Sequence, residues 1–291
     1  IACCDVYRAG DGVHREWLLQ RGRTLSPLGR AKVALNPYHA YNKYAEAALF
    51  RSPRLRAVIC NSRMVKEEIR AWFSVREDNL HVIYSGVDTA RFHPGLRGQH
   101  RAAFRGEHKI PQHATVFLYV GAGFERKGVA AFIKAFSTLP DTAYAVIVGD
   151  DKRRAHYVQL ANQTGAAARI RFVGALNDVA PAYGAADVFV LPTLYDPFPN
   201  VILEAMASGL PVITSTKSGG AELIEPGKSG YVCGALDLNA LAAQMRASLP
   251  QERHAAMGRR AREIVLPYTF EAMSARLRSL YESLLQNRAA V

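Results

Sequence analysis

The chain has 291 residues, enough for two ordinary domains and a substantial core, since compact domains usually hold ~100–200 residues. It carries a formal charge of +12, but no apolar run approaches the ~18 residues a membrane-spanning helix needs, so no transmembrane helix is expected, and nothing resembles a signal peptide. The four cysteines, Cys3, Cys4, Cys60 and Cys233, lack metal-ligand spacing and fit a reducing cytoplasm.

The chain opens at Ile1 inside an apolar run, IACCDVY, and the expectation is that an N-terminal portion precedes it. Residues 1–60 hold ten Arg or Lys against four acids, about half of the net charge in about a fifth of the length. Aromatics are interleaved there: Tyr7, Trp17, Tyr38, Tyr41, Tyr44 and Phe50. That mix suits nucleic acid or the anionic face of a membrane, where each cation contributes ~1 kcal/mol, and equally a solvated basic face. RAVICNS (56–62) reads as a buried strand, with Ser62 capping the helix MVKEEIRAWF, and HVIYSGVD (81–88) as another strand. TARFHPGLRGQH (89–100), rich in Pro, Gly and charge, reads as an interdomain connection.

From Ala114 onward, short apolar runs alternate with helical patterns. Strands are predicted at 115–121, 143–149, 169–174, 187–192, 211–215 and 230–234, and helices at 127–138, 153–165, 178–186, 201–208 and 219–225. Strict alternation means a parallel sheet covered on both faces, a Rossmann-like layer that binds ligands beyond the carboxyl ends of its strands. The fold class is therefore α/β, with one complete Rossmann-like domain (101–269) preceded by the C-terminal part of a second (1–100, linker included). A helix over 270–291, apolar at Met273, Leu277, Leu280, Tyr281, Leu284 and Leu285, is expected to pack back on the first domain.

The loop VGAGFERKG (120–128) places Gly121 and Gly123 between a strand and a helix, where backbone N–H groups can approach a phosphate. The third glycine of a dinucleotide fingerprint is replaced by Arg126, so Arg126 and Lys127 bring two cations to an anion-binding helix end; a solvated charged turn is the plain alternative. After the fourth strand, DPFPNVILEA (196–205) has Asp196 before a turn stiffened by Pro197 and Pro199, Asn200 as an N-cap for a helix from Val201, and Glu204 in that helix. Eight residues across a turn and into a helix span an extended ligand, with Asp196 near its first contact and Glu204 within reach of a ribose diol. A partly buried structural Glu204 is the competing reading. GDD (149–151) reads as a loop paired with its own cations rather than as a metal site, and the nine histidines form no zinc pattern.

Together NSRMVKEEI (61–69), IYSGVDTARFHP (83–94), FERKGV (124–129), and Asp196 and Glu204 followed by AMASGLPVI (205–213) resemble the retaining glycosyltransferases of family 4, which have the GT-B fold. DVYRAGDGVHREWL (5–18) further resembles the subgroup that adds the first glucose to the heptose region of lipopolysaccharide core. The resemblance implies a UDP-sugar donor, with Arg126 and Lys127 on its diphosphate, Glu204 on the ribose and Asp196 on the transferred hexose. Gly121, Gly123, Pro199, Asn200 and Val201 complete the donor site, and Asp11 and His14 are acceptor-side candidates. It also implies a lipopolysaccharide core acceptor and no cofactor or metal. The protein would be cytoplasmic and peripheral to the inner membrane, held to its anionic surface by the basic, aromatic segment 14–56, with no nucleic acid partner. The chain departs from the family at Asp196, shorter than the usual Glu, at Pro199, where many relatives have glycine, and at Ala122, where arginine is common. Two other functions are compatible with parts of the chain: a nucleotide-sugar-binding module without transfer, and an NAD-dependent dehydrogenase drawing on Gly121, Gly123 and Asp150.

Overall fold

The computed structural model describes residues 4–289; Ile1, Ala2, Cys3 and the last two positions, on which the expectations for Cys3 and for the end of the final helix fall, lie outside the described residues. The first half is built on three parallel strands in the order β1 (Val6–Ala9), β2 (Ala57–Cys60) and β3 (Leu80–Val82). Between β1 and β2 run α1 (His14–Gly22), α2 (Pro27–Ala34) and α3 (Pro37–Phe50). The last two begin alike, with a proline at the first helical position and a capping side chain before it: Ser26 accepts from Gly29 N, and Asn36 from Tyr38 N. Ser62 caps α4 (Arg63–Phe73) by accepting from Val65 N at 3.1 Å.

The second half holds six parallel strands: β4 (Thr115–Val120), β5 (Ala143–Val148), β6 (Ile170–Gly174), β7 (Val188–Leu191), β8 (Val212–Ser215) and β9 (Gly230–Cys233). Their spatial order, β6-β5-β4-β7-β8-β9, is that of a doubly wound sheet. Strand order reverses between β4 and β7, so the loops leaving those two strands diverge around a crevice, the usual ligand position in such sheets. Helices α6 (Val129–Phe136), α7 (Arg154–Gln163), α8 (Ala180–Ala185), α9 (Asn200–Ala207), α10 (Leu238–Ala247) and α11 (Gln251–Val265) accompany this sheet. Val116, Phe117, Leu118, Val188, Phe189 and Val190 are fully buried, which is why the strands are continuous apolar runs rather than alternating ones. The final helix, α12 (Phe270–Ala289), returns to the first sheet: Leu280 packs with Ile59 and Ile83, and Arg56 donates to Leu284 O at 2.8 Å.

Four local expectations are corrected. The stretch read as a connection over 89–100 contains the start of α5 (Leu96–Glu107), whose Arg97, Arg101 and Arg105, four residues apart on one face, all reach the buried Asp187 at 2.9, 2.9 and 2.8 Å. Charge that looked like solvated linker is an ion cluster closing α5 against the second sheet. The strand at 81–88 ends at Val82, because beyond it Val87 N bonds Tyr268 O and Gly86 presses on the Thr269 backbone. The helix expected at 219–225 is a short 3-10 turn over Gly219–Leu223. In GDD the acids bond backbone amides, Asp151 accepting from Phe124 N and Arg153 N, while Arg153 pairs with Glu125.

Candidate functional site

The crevice loops are stitched together. Leu194 N and Thr193 Oγ1 both donate to Arg126 O, at 2.8 and 3.0 Å, tying the loop after β7 to the loop after β4. The Arg126 guanidinium returns the contact, donating from Nη1 to Tyr195 O at 3.0 Å and to Asp196 Oδ2 at 3.2 Å, and Lys127 Nζ stands 3.6 Å from the same carboxylate oxygen. Burial lowers the Lys127 ammonium from its ordinary value, and Asp196 opposes that shift. Gly128 is required here: its φ is +80°, and a Cβ would lie 2.0 Å from Pro192 O. Gly123, at φ +72°, leaves open space where a side chain would stand, so its backbone is approachable. Gly121 lies beneath Lys127, whose Cδ is 2.7 Å from the position of a Cβ.

Helix α9 begins at Asn200, with Pro199 as N-cap and no capping side chain; the expected capping role of Asn200 is corrected, since the proline fixes the turn and Asn200 is already helical and exposed. The amides of Asn200 and Val201 thus open the helix, where first-turn N–H groups have no partner within it. One turn further on, Glu204 accepts from the buried Tyr183 hydroxyl at 2.8 Å. Burial raises its carboxyl above the ordinary value, while Tyr183, Arg91 and Lys127 act in the opposite sense.

The first half forms the facing wall. A cavity of about 470 Å³ is lined by Asp11 and His14 from that half and by Arg126, Asp196 and Pro197 from the other, so the acceptor-side candidates share a space with the cationic pair. His14 Nε2 lies 3.0 Å from His39 Nδ1, and burial lowers both imidazoles from their ordinary value, favouring a neutral pair. His39 was missed in the sequence, as were Tyr195, Lys217, Glu16 and Glu68, which join the two halves beside Asp196. Only Tyr195 has a sequence signal, its place next to Asp196. Among the described residues no group of three or more His, Cys, Asp or Glu side chains could hold a metal ion.

Residues 100–264 match the family described as Glycosyl transferases group 1, and residues 11–91 match Glycosyltransferase Family 4. The first match alone spans more than half of the chain. The chain belongs to the group 1, family 4 glycosyltransferases. It is 31% identical over 175 residues to the lipopolysaccharide core biosynthesis glycosyltransferase LpsE of Rhizobium meliloti, covering 60% of this chain and 48% of that protein. It is 25% identical over 232 residues to the lipopolysaccharide glucosyltransferase WaaG of Escherichia coli, covering 78% of this chain and 60% of the relative. The chain thus spans about half the length of the curated relatives it matches. A solved structure of WaaG matches 93% of this chain and 74% of its own, with a TM-score of 0.77 at 23% identity. Anabaena HepE in complex with UDP-glucose matches 86% of this chain and 70% of its own, with a TM-score of 0.74 at 23% identity. The fold is GT-B, as these glycosyltransferase neighbours share it.

Proposed function

We propose that this glycosyltransferase moves a hexose, glucose, from UDP-glucose to a sugar of the lipopolysaccharide core, with retention at the anomeric carbon. The observation that carries the reading is the cationic pair Arg126 and Lys127, held by Asp196 at the switch point of the sheet with Glu204 one helical turn into α9. Two cations over approachable backbone suit a diphosphate; a carboxylate beyond them suits a ribose diol. The lipopolysaccharide relatives and the UDP-glucose complex of HepE support the choice of acceptor and donor.

In the reaction proposed, the bond from the hexose anomeric carbon to the diphosphate oxygen breaks and a bond from the same face to the acceptor oxygen forms. The acceptor hydroxyl proton passes to the departing phosphate oxygen. Arg126 and Lys127 stabilise the charge that develops on that leaving group, already oriented by Tyr195 O and Asp196. Asp196 faces the hexose, Pro199 shapes the turn without contributing an N–H, and the amides of Gly123, Asn200 and Val201 lie toward the diphosphate. Asp11 and His14 face the acceptor. No cofactor or metal enters this scheme.

The reading includes a cytoplasmic protein docked on the anionic inner-membrane surface by segment 14–56, without a nucleic acid partner. Leu28 and Leu35 are 78% and 83% exposed, and Tyr38, Tyr41 and Tyr44 stand exposed at three-residue spacing on α3 among Arg23, Arg30, Lys32 and Lys43. Exposed apolar and aromatic groups interspersed with cations along one segment favour an anionic headgroup layer. Among the described residues no helix is long and apolar enough to cross a membrane.

Calorimetric titration with UDP, followed by a transfer assay from UDP-glucose to a heptosylated lipid acceptor, tests the function. Saturable binding and glucosylation are expected. Binding without transfer would leave a nucleotide-sugar-binding module, and binding of NADH with none of UDP would replace the reading by a dehydrogenase.

A further inference from the structure

Asp196 is pinned from both flanks by residues that end in the other half of the molecule. On one side, the Tyr195 ring is 1% exposed and carries its hydroxyl across the interface, donating to Glu68 Oε2 at 2.7 Å and accepting from Val13 N at 2.9 Å. Gly12 clears the way, because with φ at +71° a Cβ there would stand 2.3 Å from the Tyr195 oxygen. On the other side, Asp196 N donates to Lys217 O at 2.9 Å, and Gly219 N donates back to Asp196 O at 2.9 Å. The Lys217 ammonium then crosses the same interface, to Glu16 Oε1 at 2.7 Å and Glu68 Oε1 at 3.0 Å. Glu68 therefore uses one carboxylate oxygen for each flank of Asp196.

Both glutamates are buried, at 6% and 8% exposure for Glu16 and Glu68, and two carboxylates share one ammonium. As an adhesive this is a poor choice, since desolvating charges offsets much of the attraction and apolar packing would hold the halves with less penalty. As a geometric device it is well suited. Each link is directional, and both meet the chain within one residue or one backbone hydrogen bond of Asp196. If the halves part, Tyr195 and Lys217 lose their cross-interface partners together, so the segments on both sides of Asp196 lose their outer anchors while its backbone bonds to Lys217 and Gly219, within one half, remain.

We propose that Glu68, Tyr195, Lys217 and Glu16 are positioning residues that couple the seating of the two halves to the orientation of Asp196, so that the transferred hexose is gripped only when the acceptor-side wall is in place. The proposal rests on the UDP-sugar reading given above. Its use is to favour transfer over hydrolysis: a hexose gripped in a parted cleft would be exposed to water as the competing nucleophile.

The test compares calorimetric dissociation constants for UDP and for UDP-glucose in the wild type, Tyr195→Phe, Glu68→Gln, Lys217→Met and Lys217→Arg, with Asp196→Asn as the reference for a lost hexose contact. Tyr195→Phe keeps the ring and its packing, so it carries the test if Glu68→Gln fails to fold. Expected for Tyr195→Phe, Glu68→Gln and Lys217→Met is an affinity for UDP within about threefold of the wild type, with the preference for UDP-glucose over UDP lowered about tenfold, as in Asp196→Asn. Lys217→Arg should restore most of that preference. Variants that keep the wild-type preference, or that weaken both ligands equally as a general loosening would, overturn the positioning role alone. A wild type that binds neither ligand overturns the donor reading and this inference with it.

Discussion

Lys127 and Glu204 ask opposite things of one ligand, and their substitutions should separate accordingly. Lys127 is largely buried, with burial lowering its ammonium and Asp196 sustaining it, so its charge is poised for the leaving group rather than spread into water. Lys127→Ala should therefore reduce kcat by more than it weakens UDP binding; equal losses in steady-state kinetics and calorimetry would make it a ground-state contact only. Glu204 is argued to bond the ribose, which is present in donor and product alike. Glu204→Ala should weaken UDP binding by ~1.5–3 kcal/mol, the range for hydrogen bonds to a charged group, and unchanged affinity in the same titration would remove it from the site. At this scale the sequence was legible where chemistry sits close in the chain: Arg126 and Lys127 are adjacent, and one turn separates Asp196 from α9. It was silent on Glu68 with Tyr195 and on Lys217 with Glu16, because those partners lie on different elements and in different halves, far apart along the chain, and no local pattern distinguishes a buried glutamate on α1 or α4 from a solvated one.

Strands of the second sheet were legible because a parallel strand buried on both faces needs an unbroken apolar run. Helix α5 was not, since its Pro-Gly start and its arginines resemble a connection; the physical reason for the helix is Asp187, 82 to 90 residues away from them. Arg105 is fully buried and also donates to Ala185 O and Ala114 O, and burial pulls its guanidinium down to about 10, with Arg101 and Arg97 acting in the same sense and Asp187 against it. Burial pushes the Asp187 carboxyl up, but Arg101 and Arg105 outweigh it and hold the group at about 2. Asp187→Asn would leave a buried guanidinium uncompensated and should destabilise the fold by ~3–5 kcal/mol, read as a lower urea midpoint. The pH dependence follows in sign: the folded carboxyl titrates at about 2 against an ordinary value of 3.8, so its contribution is complete above about pH 4 and is lost as pH falls toward 2. The wild-type midpoint should drop through that window, and the Asp187→Asn difference should shrink within it; a difference independent of pH would contradict the ion cluster.

Two sheets, joined through α12 and through the Tyr195 and Lys217 contacts, place the cationic pair of one half opposite Asp11 and His14 of the other. The α/β class and the doubly wound second half were readable from alternation; how the first half seats on it was not, because interface contacts carry no periodicity. In the first half, Leu28, Leu35, Tyr41 and Tyr44 face solvent, while Tyr38, though exposed, also lines the cavity beside His14. Leu28→Glu combined with Leu35→Glu should weaken binding to phosphatidylglycerol-containing vesicles about tenfold in a sedimentation assay, and added salt should weaken the wild type as well; equal binding of both proteins would detach this surface from the membrane. Everything else rests on where the nucleotide lies, and a crystal structure of the protein with UDP measures that directly. The account predicts the diphosphate within hydrogen-bond reach of Arg126 and Lys127, at the start of α9, with the ribose hydroxyls on Glu204. A diphosphate bound away from Arg126 and Lys127, or a ribose facing away from Glu204, would contradict it.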